Sequence, residues 1–215
     1  MSQPTPPRLV VMDVDSTLIT QEVVELLADH AGSRAEVAEI TDRAMRGELD
    51  FTASLRARVA TLAGLPVSVF AEVLDEVVVT PGAVELLAEL DRRGWPVALV
   101  SGGFEEVVAP LARRLGITRF LANRLEVEHG ALTGRVAGEV VDRAVKARTL
   151  REHAAALGVP LDRTVAIGDG ANDLDMLAAA GYGIAFNAKP VVRAQADAAV
   201  DDRLDAVLTL PPFAT

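Results

Sequence analysis

Two acids, Asp13 and Asp15, follow a run of Leu9, Val10, Val11 and Met12 that carries no polar side chain. An unbroken run of large and β-branched residues is how a strand covered on both faces of a parallel sheet reads, so the acids stand where strand gives way to loop. Side chains two apart on extended backbone leave on the same side, which lets both carboxylates approach one small ligand. Carboxylates that close repel each other and any anionic substrate. A divalent cation held by oxygens relieves both problems, and Mg²⁺ suits carboxylates shared with phosphate. With Ser16 and Thr17 the same stretch also suits an acidic turn that merely caps the next helix.

Two more apolar runs end in polar chemistry. Residues 97–100 lead into Ser101-Gly102-Gly103, and residues 164–167 into Gly168-Asp169-Gly170-Ala171-Asn172-Asp173, with Lys146 at the head of a helical pattern between them. Ligands of open α/β sheets bind outside the carboxyl ends of the strands, so these segments can converge. Phosphate chemistry then has a task for each. Asp13 is the nucleophile, forming an aspartyl-phosphate, and Asp15 protonates the leaving alkoxide and later activates water. Magnesium takes a carboxylate oxygen of Asp13, the backbone carbonyl of Asp15 and a carboxylate oxygen of Asp169. Lys146, Ser101 and Gly102 hold the non-bridging oxygens. Taken singly, the glycine turn, a surface lysine and an N-capping aspartate each have an ordinary structural explanation.

The elements that must position these groups can be read in turn. Residues 21–31 are amphipathic and stop at Gly32. Ser33 with Glu36 is a capping-box start for a second helix that Gly47 ends, and residues 51–62 and 67–77 suggest two more. No buried strand is visible between residues 18 and 77. That long helical stretch reads as a cap subdomain, residues 19–78, inserted into a core made of residues 1–18 and 79–215. Thr80 and Pro81 look like an N-cap followed by proline at the first helical position. Residues 123–135 alternate, with His129-Gly130 as the turn of a small hairpin. A fourth strand is expected at 183–186 and a short fifth at 199–200. The fold class is α/β, a doubly wound parallel sheet with an inserted helical cap. The first seven residues, with three prolines, have neither pattern nor bulk to fold.

Composition excludes several other classes. Half of the 215 residues are hydrophobic but only 4% aromatic, so the core must be built from Ala, Val and Leu, as suits helices packed on a parallel sheet. With no cysteine, disulfides and thiolate metal sites are both out, leaving oxygen ligands. A net charge of −10 repels nucleic acid, and no apolar run approaches the ~20 residues of a membrane span. A cytoplasmic protein, monomer or homodimer, is expected, with a small molecule as its partner.

The segments Asp13-Val14-Asp15-Ser16-Thr17-Leu18, Ser101-Gly102-Gly103-Phe104, Lys146 and Gly168-Asp169-Gly170-Ala171-Asn172-Asp173 resemble, in order and spacing, the four motifs of the haloacid dehalogenase-like phosphatases. The resemblance runs from about Arg8 into the last helix and is strongest to the branch acting on O-phospho-L-serine. It implies a Mg²⁺-dependent phosphomonoesterase with a helical cap that sets specificity, working at the last step of serine synthesis. Glu22 then corresponds to the acid that holds the substrate ammonium and Arg58 to the arginine that holds its carboxylate. Met45 and Phe51 resemble the apolar residues that shield the site. Asp173 positions Lys146, and Asn172 meets a metal water or a phosphate oxygen. Without the resemblance Glu22 reads as a first-turn acid and Arg58 as a surface residue. Relatives often carry an N-terminal regulatory domain; with only a short tail before the first strand, control by serine through one is not expected. Other readings are the same chemistry on another small phosphoester, transfer to an alcohol such as homoserine, a non-catalytic binder of a phosphorylated metabolite, or an Asp-phosphorylated signalling domain. Asp15 argues against the last two, since it can activate water beside the phosphorylated aspartate.

Overall fold

The structure, a computed structural model, describes residues 8–45 and 48–214, Met45 by its backbone alone. Strand β1 (Leu9–Met12) lies at the centre of a seven-stranded sheet and is wholly buried. Its alternating side chains feed two cores, Val10 and Met12 one, Leu9 and Val11 the other. Each such residue contributes roughly 1.5–3 kcal/mol by burial, so a run with no polar member settles where both faces are covered.

The remaining strands are β2 (Val97–Phe104), β3 (Arg119–Glu128), β4 (Ala131–Ala137), β5 (Thr164–Gly168), β6 (Tyr182–Phe186) and β7 (Ala198–Val200), in the order β4-β3-β2-β1-β5-β6-β7. All pairs are parallel except the β3–β4 hairpin. The chain therefore winds outward from β1 in both directions. Met12 is level with Leu99 of β2 and Ile167 of β5, and the Asp13 N–H still donates to the Ile167 carbonyl at 3.0 Å. That register brings the tips of β1, β2 and β5 side by side.

Helices cover both faces. On one lie α5 (Ala83–Arg92), α6 (Glu105–Arg114) and the turn at Leu204–Thr209; on the other lie α7 (Arg143–Leu157), α8 (Leu174–Ala179) and α9 (Pro190–Arg193). Ala98, Ala166 and Ala185 face the second group, and these small side chains let α7 and α8 approach the sheet closely.

Between β1 and β2 the chain leaves the sheet to build α1 (Val23–Ala31), α2 (Arg34–Met45), α3 (Phe51–Ala60) and α4 (Val69–Glu76). Outgoing and returning strands touch at an Ile19–Val79 bridge, flanked by Thr20 N–H to Val78 carbonyl at 3.0 Å and Thr80 N–H to Leu18 carbonyl at 2.9 Å. The insert meets the sheet again at the hairpin, where Gly64 N–H donates to the Leu132 carbonyl and Leu132 N–H to the Leu65 carbonyl, both 2.8 Å.

Several local expectations are corrected. Thr80 does not cap α5: its backbone is held by Leu18, so Gly82, at φ 84°, occupies the N-cap. The Ser33 hydroxyl donates to Thr61 Oγ1, tying α2 to α3 instead of closing a capping box. Helix α7 starts at Arg143 under an Asp142 cap, which places Lys146 in its first turn and not at its head. Strand β3 begins earlier than the hairpin pattern suggests, because its first half joins β2 in parallel. The end of α2 at Gly47 lies outside the described residues. Among the described residues no helix is long and apolar enough to cross a membrane.

Candidate active site

Past β1 the backbone stays extended at Asp13, whose Oδ1 accepts the Val14 N–H at 2.7 Å while Oδ2 lies 2.8 Å from Lys146 Nζ. Asp15 is also extended, and its Oδ2 accepts the Val23 N–H at 3.3 Å, at the start of α1. Ser16 then turns the chain at φ 56°, a conformation that strains a residue with a Cβ by about 1 kcal/mol. Its hydroxyl donates to Glu22 Oε1 at 2.7 Å. At Gly103 a Cβ would stand 3.0 Å from both Asp15 carboxylate oxygens, so a side chain there would push the carboxylate back by a few tenths of an ångström.

Lys146, fully buried, reaches Asp13 and, at 2.7 Å, Asp173 Oδ1; Asp173 Oδ2 in turn accepts the Gly170 N–H at 3.0 Å. Gly168 makes room for this brace, since a Cβ there would be 2.5 Å from Asp173 Cγ. Asp169 takes a hydrogen bond from Thr17 Oγ1 at 3.2 Å, which ties the β5 tip to the β1 loop. Ser101, also buried, accepts the Gly103 N–H at 2.8 Å. Oxygens of Asp13, Asp169 and Asp173 lie within 4.8 Å of one another.

A cavity of about 140 Å³ opens onto these groups, lined from the core by Asp13, Asp15, Gly102, Asp169 and Asn172 and from the insert by Glu22, Phe51, Leu55 and Arg58. The structure thus brings together ten of the residues singled out by sequence: Asp13, Asp15, Glu22, Phe51, Arg58, Gly102, Asp169 and Asn172 at the cavity, with Lys146 and Asp173 hydrogen-bonded beneath it. Ser101 stands under Gly103 instead of in the cavity wall, and the Met45 side chain lies outside the described residues.

A model of the haloacid dehalogenase-like hydrolases matches residues 10–178, a span that takes in every one of these groups. The chain belongs to the haloacid dehalogenase-like hydrolase family. Within that family it is similar to a phosphoserine phosphatase of Streptomyces coelicolor, 63% identical over 204 residues that cover 94% of this chain and 50% of that protein. One of Streptococcus thermophilus is 56% identical over 188 residues, 87% of each chain. A solved structure of a phospho-aspartyl intermediate analogue of phosphoserine phosphatase superposes with a TM-score of 0.90 at 41% identity, covering 95% of this chain and 99% of that one. The chain spans about half the length of the Streptomyces relative.

For a haloacid dehalogenase-like hydrolase the electrostatics of the site are informative. Burial, then Asp173, push the Asp13 carboxyl well above its ordinary range, with Lys146 opposing. Burial, then Glu22, do the same to Asp15. Asp169 is pushed up to about 7 by burial and then by Asp173. Burial alone would lower Lys146, but Asp13 and Asp173 outweigh it and hold the ammonium above the usual lysine range. Buried acid exceeds buried base, and the excess is made of hard oxygen donors. A divalent cation fits that set.

Two contributors went unassigned in the sequence. Thr17, fully buried, anchors Asp169, and Ser16 orients Glu22. Both belong to the first motif; what the motif does not show is the left-handed turn at Ser16, whose hydroxyl meets Glu22.

Proposed function

We propose that the chain is a Mg²⁺-dependent phosphomonoesterase that converts O-phospho-L-serine to serine and phosphate through an aspartyl-phosphate on Asp13. The observation that carries the substrate is Arg58. Its Nε is buried and, among the described residues, has no hydrogen-bond partner, although it lines the cavity beside Glu22. A buried guanidinium left unsatisfied is costly, and a ligand carboxylate supplies the missing acceptor. Glu22, held by Ser16 on one oxygen, keeps the other for an ammonium. An amino acid bearing a phosphate matches both charges, with its phosphate toward Asp13.

In this reading Lys146 and the amides around Ser101 and Gly102 bind and orient the phosphoryl group. Asp13 attacks phosphorus as the bond to the serine oxygen breaks, and Asp15, whose protonated form burial and Glu22 favour, gives its proton to that oxygen. Water then attacks the aspartyl-phosphate while Asp15 takes a proton back, freeing phosphate and restoring Asp13. Asp13, Asp169 and the Asp15 carbonyl would hold magnesium. Bound there, it supplies positive charge against the phosphoryl oxygens and relieves the repulsion among the carboxylates. Asp173 has both oxygens engaged, by Lys146 and the Gly170 N–H, and so braces the lysine.

Residues 19–78 serve as the cap over a core of 1–18 and 79–215, a division supported by the Ile19–Val79 bridge at its neck. Phe51 shields the site from above Gly102, where a Cβ would stand 3.1 Å from its ring. The reading also places the chain in the cytoplasm at the last step of serine synthesis. Phosphate release from phosphoserine, phosphothreonine and p-nitrophenyl phosphate, with and without Mg²⁺ and with homoserine as an alternative acceptor, tests the proposal. Phosphoserine is expected to be turned over at least about tenfold better by kcat/KM, and only with the metal. A flat ranking, or transfer to homoserine in preference to water, defeats it.

A further inference from the structure

Strand β2 carries a bulge at its functional end. Val100 is level with Leu121 and Phe104 with Asn123, so Ser101, Gly102 and Gly103 face Ala122 alone. Extra residues in a bulge lose their ladder partners and need others. The Gly103 N–H finds the Ser101 hydroxyl. The Gly102 carbonyl finds the side chain of Asn123, whose Nδ2 donates to it at 2.8 Å.

The same amide has a second partner. Asn123 Oδ1 accepts the Val141 N–H at 2.8 Å, and Val141 immediately precedes Asp142, the cap of α7, whose first turn bears Lys146. Asn123 is 1% exposed, and its amide orientation is forced, since the Gly102 carbonyl can only accept and the Val141 N–H can only donate. A single planar group thus joins, by two direct hydrogen bonds, two segments that approach the phosphate from different elements.

We propose that Asn123 is a positioning residue that fixes the Ser101–Gly102 loop against the start of the Lys146 helix, so that the two phosphate-holding elements keep one spacing. This rests on the phosphomonoesterase reading above but not on phosphoserine as the substrate. The Asn123 side chain bonds to Gly102 and Val141, on the two phosphate-holding segments, so its effect belongs to the phosphoryl end. Misplacing a binding group by a fraction of an ångström is enough to lower the rate of transfer markedly.

The test is Asn123→Leu, with the same count and branching of side-chain heavy atoms but lacking both hydrogen bonds, checked for folding by circular dichroism. In the Mg²⁺-loaded protein, kcat is expected to fall about 30-fold on both phosphoserine and p-nitrophenyl phosphate, while KM for phosphoserine changes less than about threefold. Calorimetric titration with inorganic phosphate is expected to show affinity about tenfold weaker. Asn123→Ala, which removes both hydrogen bonds without adding bulk, takes the same measurements if the leucine variant does not fold, with the same direction of loss expected. A folded variant with kcat within twofold of the parent, or with kcat and KM shifted by the same factor, overturns the proposal. Should the parent hydrolyse p-nitrophenyl phosphate but not phosphoserine, the substrate assignment fails and Asn123 is judged on the aryl ester. Should it hydrolyse neither, phosphate binding decides, and unchanged affinity in the variant overturns the inference.

Discussion

The two halves of the cavity are wired differently. On the sheet side, Asp13, Lys146 and Asp173 are buried, Asp13 reaching only the cavity, and are locked to one another in a chain of short hydrogen bonds. On the insert side, Glu22 and Arg58 are only partly buried; one is held by the Ser16 hydroxyl and the other, among the described residues, keeps an unpartnered Nε. A preorganised constellation suits a group that is the same in every turnover, here a phosphoryl group, and costs no rearrangement when charge develops. Charges left unsatisfied suit the part of the ligand that must be recognised, because a ligand lacking those groups leaves them unpaired. Damage to the sheet side should therefore abolish chemistry on every phosphoester, and damage to the insert side should change which ester is preferred.

The sharpest break falls on Asp13. Replacing it by asparagine preserves shape and removes the nucleophile, and turnover is expected to drop at least about 10⁴-fold on phosphoserine and p-nitrophenyl phosphate alike. No acid-stable phosphoprotein should be trapped from the variant by quenching during turnover. Full activity in Asp13→Asn would sink the covalent route.

Legibility in the sequence follows the same division. β1, β2, β5 and β6 showed themselves as apolar runs because both faces are buried, and the chemistry sits within a few residues of where those runs stop. β3 was half hidden, since it begins in the sheet and ends as a partly exposed hairpin strand, and its pattern changes midway. Thr80 and Ser33 misled for a common reason: their local cap signals were overruled by tertiary partners, Leu18 and Thr61. Glu22 and Arg58 sit on separate helical elements that only packing brings together, so residue spacing could not join them; the resemblance did. Asn123 left no signal at all, because a buried asparagine in a strand looks like any other polar residue until its two partners are known.

Removing the Mg²⁺ proposed for the site should expose the crowding on the sheet side. Asp169 is pushed up to about 7 in the folded chain, chiefly by burial, against an ordinary 3.8. The folded state then binds more protons than the unfolded one between those values, so its stability falls as pH rises from about 4 to about 7. In EDTA this group should cost about 2–4 kcal/mol across that range, read as a falling Tm. Mg²⁺ competes with the protons, so its stabilisation should grow from pH 5 to pH 8. A metal-free Tm that is level or rising over that interval would contradict the crowded-carboxylate picture.

Arg58→Ala probes the insert side and should have a milder, selective effect. Loss of a charge-assisted hydrogen bond to a carboxylate costs about 2 kcal/mol, so KM for phosphoserine is expected to rise about 30-fold. For p-nitrophenyl phosphate, which has no carboxylate, KM should stay within about twofold, because Lys146 and the strand-tip groups that hold the phosphoryl end are untouched. Stability should change little or increase. Burial already pulls the Arg58 pKa down, with Glu22 and Asp15 opposing, and among the described residues the buried Nε has no acceptor. A guanidinium kept there at a cost to the empty protein makes sense only if a ligand satisfies it. If KM rose equally for both esters, Arg58 would be acting on the phosphate, and the two halves of the cavity would not divide chemistry from recognition.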